Sequence, residues 1–188
     1  MTRKISKIVV SLTVLILVAV GAFYLATEAG ESEYIRQLVL DYGYIGIFFL
    51  SFISGFNLAI PVPAVAFLPL FVASGLNFWI SIFLISVGIT IADALGFLIG
   101  KFSRHIVLED NKTVQRLEKI KERYQFAPHI VLFLFASFAP FPNEILVIPM
   151  AFLGYRMRIL LPIVFFGNLI FNILYATGIS SIFSVINK

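Results

Sequence analysis

Residues 61–75 read PVPAVAFLPLFVASG, and residues 140–154 read PFPNEILVIPMAFLG. Each stretch opens on Pro-x-Pro (Pro61 and Pro63; Pro140 and Pro142) and closes on glycine (Gly75; Gly154) at the same separation. Proline removes a backbone donor and blocks helix continuation, and glycine admits backbone conformations closed to other residues. Each stretch therefore breaks an apolar run into two arms. The register extends without a gap over 61–100 and 140–179, where Ile80, Gly88, Ile91 and Leu95 meet Ile159, Gly167, Ile170 and Leu174. Residues that shape backbone recur at fixed separations, which marks an internal repeat.

The surroundings of both stretches are those of a membrane protein. The chain has 188 residues, 60% hydrophobic and 13% charged, with a mean hydropathy of +1.01. A soluble domain of this size cannot hide so much apolar surface. From Tyr42 to Ala92 no residue is charged. We expect arms at 43–58 and 63–75, then one full span at 77–100. Residues 101–124 carry seven basic and four acidic residues, and their apolar spacing gives a basic amphipathic linker helix beside the membrane. Residues 125–155 hold the second hairpin, and the last span ends near Gly178. At the other end, residues 8–26 carry no charge and suit a transmembrane anchor within 1–30. The acidic stretch 31–41 suits a short amphipathic surface helix.

Charge placement orients these segments. With the basic N-terminus in the cytoplasm, the linker helix, Arg156 and Arg158 all fall on the cytoplasmic side, as basic residues flanking spans should. The first hairpin then enters from outside and the second from inside. The expected fold is an all-α, multi-pass membrane protein. It has an inverted repeat of two re-entrant hairpins, each followed by a transmembrane helix (about 43–100 and 125–179), behind the N-terminal anchor. Irregular backbone at membrane depth is tolerated only against protein or a wet cavity, so the Pro-x-Pro tips point to a polar cavity near the midplane.

Two acids lie within the apolar runs, Asp93 and Glu144. An ionised carboxylate at the bilayer centre costs about 2.5–3.5 kcal/mol or more, so each needs a partner or a cavity. Glu144, two residues past Pro142, is either a proton or ion carrier or the partner of Arg156 or Arg158. Asp93 shares a face with Gly96 and Gly100, a pair that permits close helix approach. Its repeat counterpart is Asn172, which shares a face with Asn168 and Tyr175. Asn143 either offers its amide to a ligand or caps the half-helix after it. Half-helix N-termini at 63–66 and 142–146 would present positive dipole ends to a phosphate.

Several function classes drop out. There are no cysteines, His105 and His129 form no metal-ligand cluster, and no P-loop, dinucleotide fingerprint or nucleophile elbow occurs. No enzyme, metal, cofactor or nucleic-acid function is expected. The net charge of +4 belongs to membrane topology.

The chain resembles the DedA family of SNARE-associated, or VTT-domain, membrane proteins. The resemblance covers roughly 40–178. It rests on Tyr42-Gly43-Tyr44-Ile45-Gly46, Pro61-Val62-Pro63 with Gly75, Asp93 through Gly96 to Gly100, and Pro140-Phe141-Pro142-Asn143-Glu144 through Gly154 and Met157 to Gly167. It implies lipid translocation, either flipping of polyprenyl phosphate carriers or scrambling of phospholipid, with protons as a coupling ion. Val65 stands where many members carry glutamate, and Ser137 and Asn143 stand where many carry arginine. The expected partners are membrane lipids with an anionic headgroup. An ion-coupled solute transporter and a non-transporting scaffold are the alternatives.

Overall fold

The computed structural model describes residues 21, 32–55, 63–107, 126–139 and 141–186. Among them are six α-helices, one 3-10 helix and no strand. Helix α1 (Glu33–Gly55) precedes the 3-10 helix (Ala64–Phe67) and the short α2 (Leu68–Ala73). Helix α3 (Phe78–Val107) completes the first repeat; α4 (Ala127–Phe138), α5 (Glu144–Phe152) and α6 (Met157–Ile186) make the second. The expected anchor, Gly21 apart, lies outside the described residues, as do Pro61, Pro140 and the linker beyond Val107.

Helix boundaries differ from expectation where glycine was read as a breaker. The surface helix at 31–41 and the arm at 43–58 are one helix, α1. Gly43 does not interrupt it, because its bare Cα face receives the Leu76 side chain. Helix α3 carries on past Gly100 into the expected linker. The last candidate span closes at Gly178, as expected, within a helix that continues to Ile186. The arm at 63–75 is a 3-10 turn followed by six α-helical residues, with Pro69 in the first turn of α2, where its missing N–H costs nothing.

Among the described residues, three helices are long and apolar enough to cross a membrane: Gln37–Gly55, Phe78–Ser103 and Met157–Gly178. Burial supports the same conclusion. Trp79, Phe83, Phe102, Phe166 and Leu174 are exposed, whereas Ser51, Ser86, Asp93, Glu144, Asn168 and Asn172 are buried. A water-soluble fold does not present so extensive an apolar exterior. This is a helical membrane protein with a polar cluster buried inside it. Buried hydroxyls are satisfied locally: Ser51, Ser74, Ser81, Ser86, Thr90 and Ser137 each donate to the carbonyl four residues earlier.

Glycine contacts set the register. Gly43 lies against Leu76, Gly88 against Ser51 and Gly55 against Ala92, so α1 runs parallel to α3 and ends beside its middle. Gly167 lies against Ala136, which sets the end of α4 beside the middle of α6. Gly96 lies against Glu144, and Gly100 against Ile148 and Ala151. Helix α5 therefore starts near the middle of α3 and runs toward its C-terminal end. Asn168 reaches Thr90 and Asn172 reaches Ser86, so α6 is antiparallel to α3.

The turns after α2 and α5 are alike. Among the described residues, Gly75 and Gly154 have positive φ, at 103° and 76°. Each ends its helix with the same pair of bonds. Gly75 N–H donates to Val72 and Leu76 N–H to Phe71; Gly154 N–H donates to Ala151 and Tyr155 N–H to Met150. This is the Schellman cap, whose left-handed residue favours glycine. Two apolar clusters lie on either side of the bundle's middle. One gathers Ile47, Val65, Leu68, Ile82 and Ile85, the other Phe97, Leu132, Val147, Leu160 and Val164.

Candidate functional site: a buried carboxyl and amide cluster

Between those clusters, polar side chains from α3, α5 and α6 meet. On α3, Ser86, Thr90 and Asp93 follow i, i+4, i+7 spacing and share one face. On α6, Asn168 and Asn172 are one turn apart and meet that face. The tip before α5 contributes Asn143 and Glu144. Asn143 Nδ2 donates to Asp93 Oδ2 at 3.1 Å and to Asn168 Oδ1 at 2.8 Å. Asn168 Nδ2 donates to Thr90 Oγ1 at 3.2 Å and to Asp93 Oδ2 at 3.1 Å. Asn172 Nδ2 donates to Ser86 Oγ at 3.0 Å.

One oxygen of Asp93 thus accepts two amide donors, while four other acceptors have none. Asp93 Oδ1, both Glu144 carboxyl oxygens and Asn172 Oδ1 are buried without a hydrogen-bond partner. Asp93 is 1% and Glu144 2% exposed. The two carboxyl groups are close enough to act on each other electrostatically, and no cation is among the groups that act on Asp93. A buried acceptor without a donor costs about 1–3 kcal/mol, and more when it is charged. Two carboxylates ionised together in this environment would be strongly unfavourable.

All five cavity residues inferred from sequence, Asp93, Asn143, Glu144, Asn168 and Asn172, belong to this cluster. All five side chains are buried. Asn143 occupies the N-cap position of α5, but its side chain makes no capping bond, since it donates to Asp93 and Asn168. These bonds turn the Asn143 amide across the bundle toward α3 and α6. Glu144 makes no ion pair with Arg156 or Arg158, both of which are exposed. Tyr175 joins the apolar side, stacked on Phe171 with ring centroids 5.9 Å apart. Ser86 and Thr90 belong to the cluster although sequence reading did not single them out. Their heptad-like spacing to Asp93 was the available signal.

The two tips carry unlike chemistry. The repeat register sets Ala64 and Val65 opposite Asn143 and Glu144, and Ala64 and Val65 are buried in the first apolar cluster. Pro63 precedes the 3-10 helix, whose first N–H, that of Ala64, donates to Ser54 Oγ at 3.1 Å. Pro142 O accepts from Ile145 N–H at 3.2 Å. No group of three or more His, Asp or Glu suited to a metal occurs among the described residues. No family model, curated protein or solved structure matches the chain.

Proposed function

We propose that this protein translocates lipids with an anionic headgroup across the membrane, coupled to a proton held by Asp93 and Glu144. One observation carries the coupling: two carboxyl groups buried side by side within the bundle, three of their four oxygens lacking a donor. A proton supplies the missing donor and removes one charge. Its loss leaves two repelling carboxylates that only water or a rearranged tip could satisfy. The pair is thus a two-state element placed where α3, α5 and α6 meet.

The register of the helices supports alternating access. Helix α1 enters from the N-terminal end of α3 and stops beside Ala92, near the middle of the Phe78–Ser103 span. By length alone Gln37–Gly55 could cross a membrane. Its parallel register against α3 sets 33–42 beyond the start of α3, which supports reading it as the arm of a re-entrant hairpin. Helix α5 returns from the middle of α3 toward its opposite end. Two hairpins entering from opposite faces and meeting at the midplane form the inverted arrangement common to transporters. Lipid as cargo is supported by the resemblance to the DedA family, carried by Pro61-Val62-Pro63 and Pro140-Phe141-Pro142-Asn143-Glu144.

Proteoliposomes containing a fluorescent anionic phospholipid and an imposed pH gradient test this function. Wild type should move the lipid faster with the gradient than without it. Glu144→Gln should abolish that gradient response. Solute or ion flux without lipid movement would assign the pair to a different transporter class. Gradient-driven movement that survives in both Glu144→Gln and Asp93→Asn would remove the carboxyl pair from the mechanism.

A further inference from the structure

A second concave feature lies at the C-terminal end of α3, about two helical turns from Asp93. It is a cleft of about 790 Å³ between α3 and the turn joining α5 to α6. Lys101, Arg156 and Arg158 line it, together with Tyr155, Phe97 and Met157. All three cations are exposed. Burial pushes the Tyr155 hydroxyl up from its ordinary range, so at neutral pH it stays an uncharged phenol. The Schellman turn at Gly154 shapes the floor and brings Arg156 and Arg158 opposite Lys101, which lies 55 residues earlier in the chain.

The geometry points to this cleft as the docking site for the phosphate headgroup of an anionic phospholipid. Topology alone requires basic residues on this side of the membrane, but not their convergence from two helices on one hollow. Three cations meet the phosphate, and the Phe97 and Met157 walls meet the glycerol and first methylenes of a chain. A soluble anion would have no use for those walls. Helix α5 joins the cleft to the carboxyl cluster: Ala151 lines the cleft, and Glu144 opens the same helix two turns away. This site deepens the proposed function by locating the headgroup of the cargo. It rests on that function only for the movement of lipid after binding.

Lipid retention by the purified full chain in neutral detergent, read by native mass spectrometry, tests the cleft directly. Phosphatidylglycerol should be retained roughly tenfold over phosphatidylcholine, and Arg156→Gln with Arg158→Gln should erase the preference. The double lysine variant should keep most of it. Should the glutamine pair fail to fold, Lys101→Gln, on the other wall, should weaken the preference about threefold to fivefold. Equal retention of the two lipids by wild type, or an undiminished preference in the glutamine variants, would overturn the site. So would complete displacement by millimolar inorganic phosphate, which would make it a free-anion site. Glu144→Gln should bind phosphatidylglycerol as wild type does. A protein that binds selectively but moves no lipid therefore refutes translocation and leaves the cleft standing.

Discussion

Asn143 separates two physical roles that its position alone would confuse. Its backbone starts α5, yet its amide serves Asp93 and Asn168 across the bundle. Asn143→Asp should therefore be harmful, although aspartate is as good an N-cap as asparagine. It would add a third carboxylate beside Asp93 and remove the donor. We expect lower thermal stability for Asn143→Asp than for Asn143→Ala, itself destabilised by about 1–3 kcal/mol. A tolerated aspartate would restore the capping role. Glu144→Gln should run the other way. It removes a buried, partnerless acid and adds a donor within reach of the orphan acceptors, so stability in detergent should rise by about 1 kcal/mol or more as proton coupling is lost. A melting temperature equal to or below wild type would show that Glu144 already has the donor it needs.

At the level of whole elements, small residues decide how closely helices and turns approach. Gly75 and Gly154 hold left-handed backbone in matched caps, and alanine at either should cost about 1–2 kcal/mol. The two losses should be alike, since the bonding pattern is the same at both turns. Gly100 is different in kind. A Cβ there would press on the Ile148 carbonyl and the Ala151 side chain, forcing α5 away from α3. Gly100→Ala should loosen both the cleft and the packing of α5 that holds Glu144 against Gly96, lowering stability and phosphatidylglycerol retention together. Loss of stability with retention intact would uncouple the two sites. Much of this level was legible beforehand. Pro-x-Pro, closing glycines and the spacing between them act within a turn or two, so the repeat and its breaks could be read directly. Helix lengths were less legible, because α1 runs through Gly43 and α3 runs past Gly100. Both glycines are contact surfaces whose partners, Leu76 and α5, lie elsewhere in the chain.

For the molecule as a whole, the proposed inverted arrangement makes a sidedness prediction. Tyr34, exposed at the start of α1, and Arg158, exposed at the start of α6, lie toward opposite ends of α3. In vesicles of uniform orientation, an impermeant thiol reagent should label Tyr34→Cys only from one face and Arg158→Cys only from the other. Labelling of both from the same face would exclude two hairpins of opposite entry. The basic cleft and Arg158 should share the cytoplasmic face. Composition and charge distribution by themselves determined that this is a helical membrane protein, because hydrophobic length and flanking charge act through the bilayer without any tertiary partner. Which polar groups pair was decided only by the folded bundle. Asp93 meets Asn143 and Asn168 across separations of 50 and 75 residues, and Lys101 meets Arg156 and Arg158 around one hollow. No local preference encodes such meetings. They arise from helix register, which the close contacts at Gly55, Gly96 and Gly100 establish once the chain has packed.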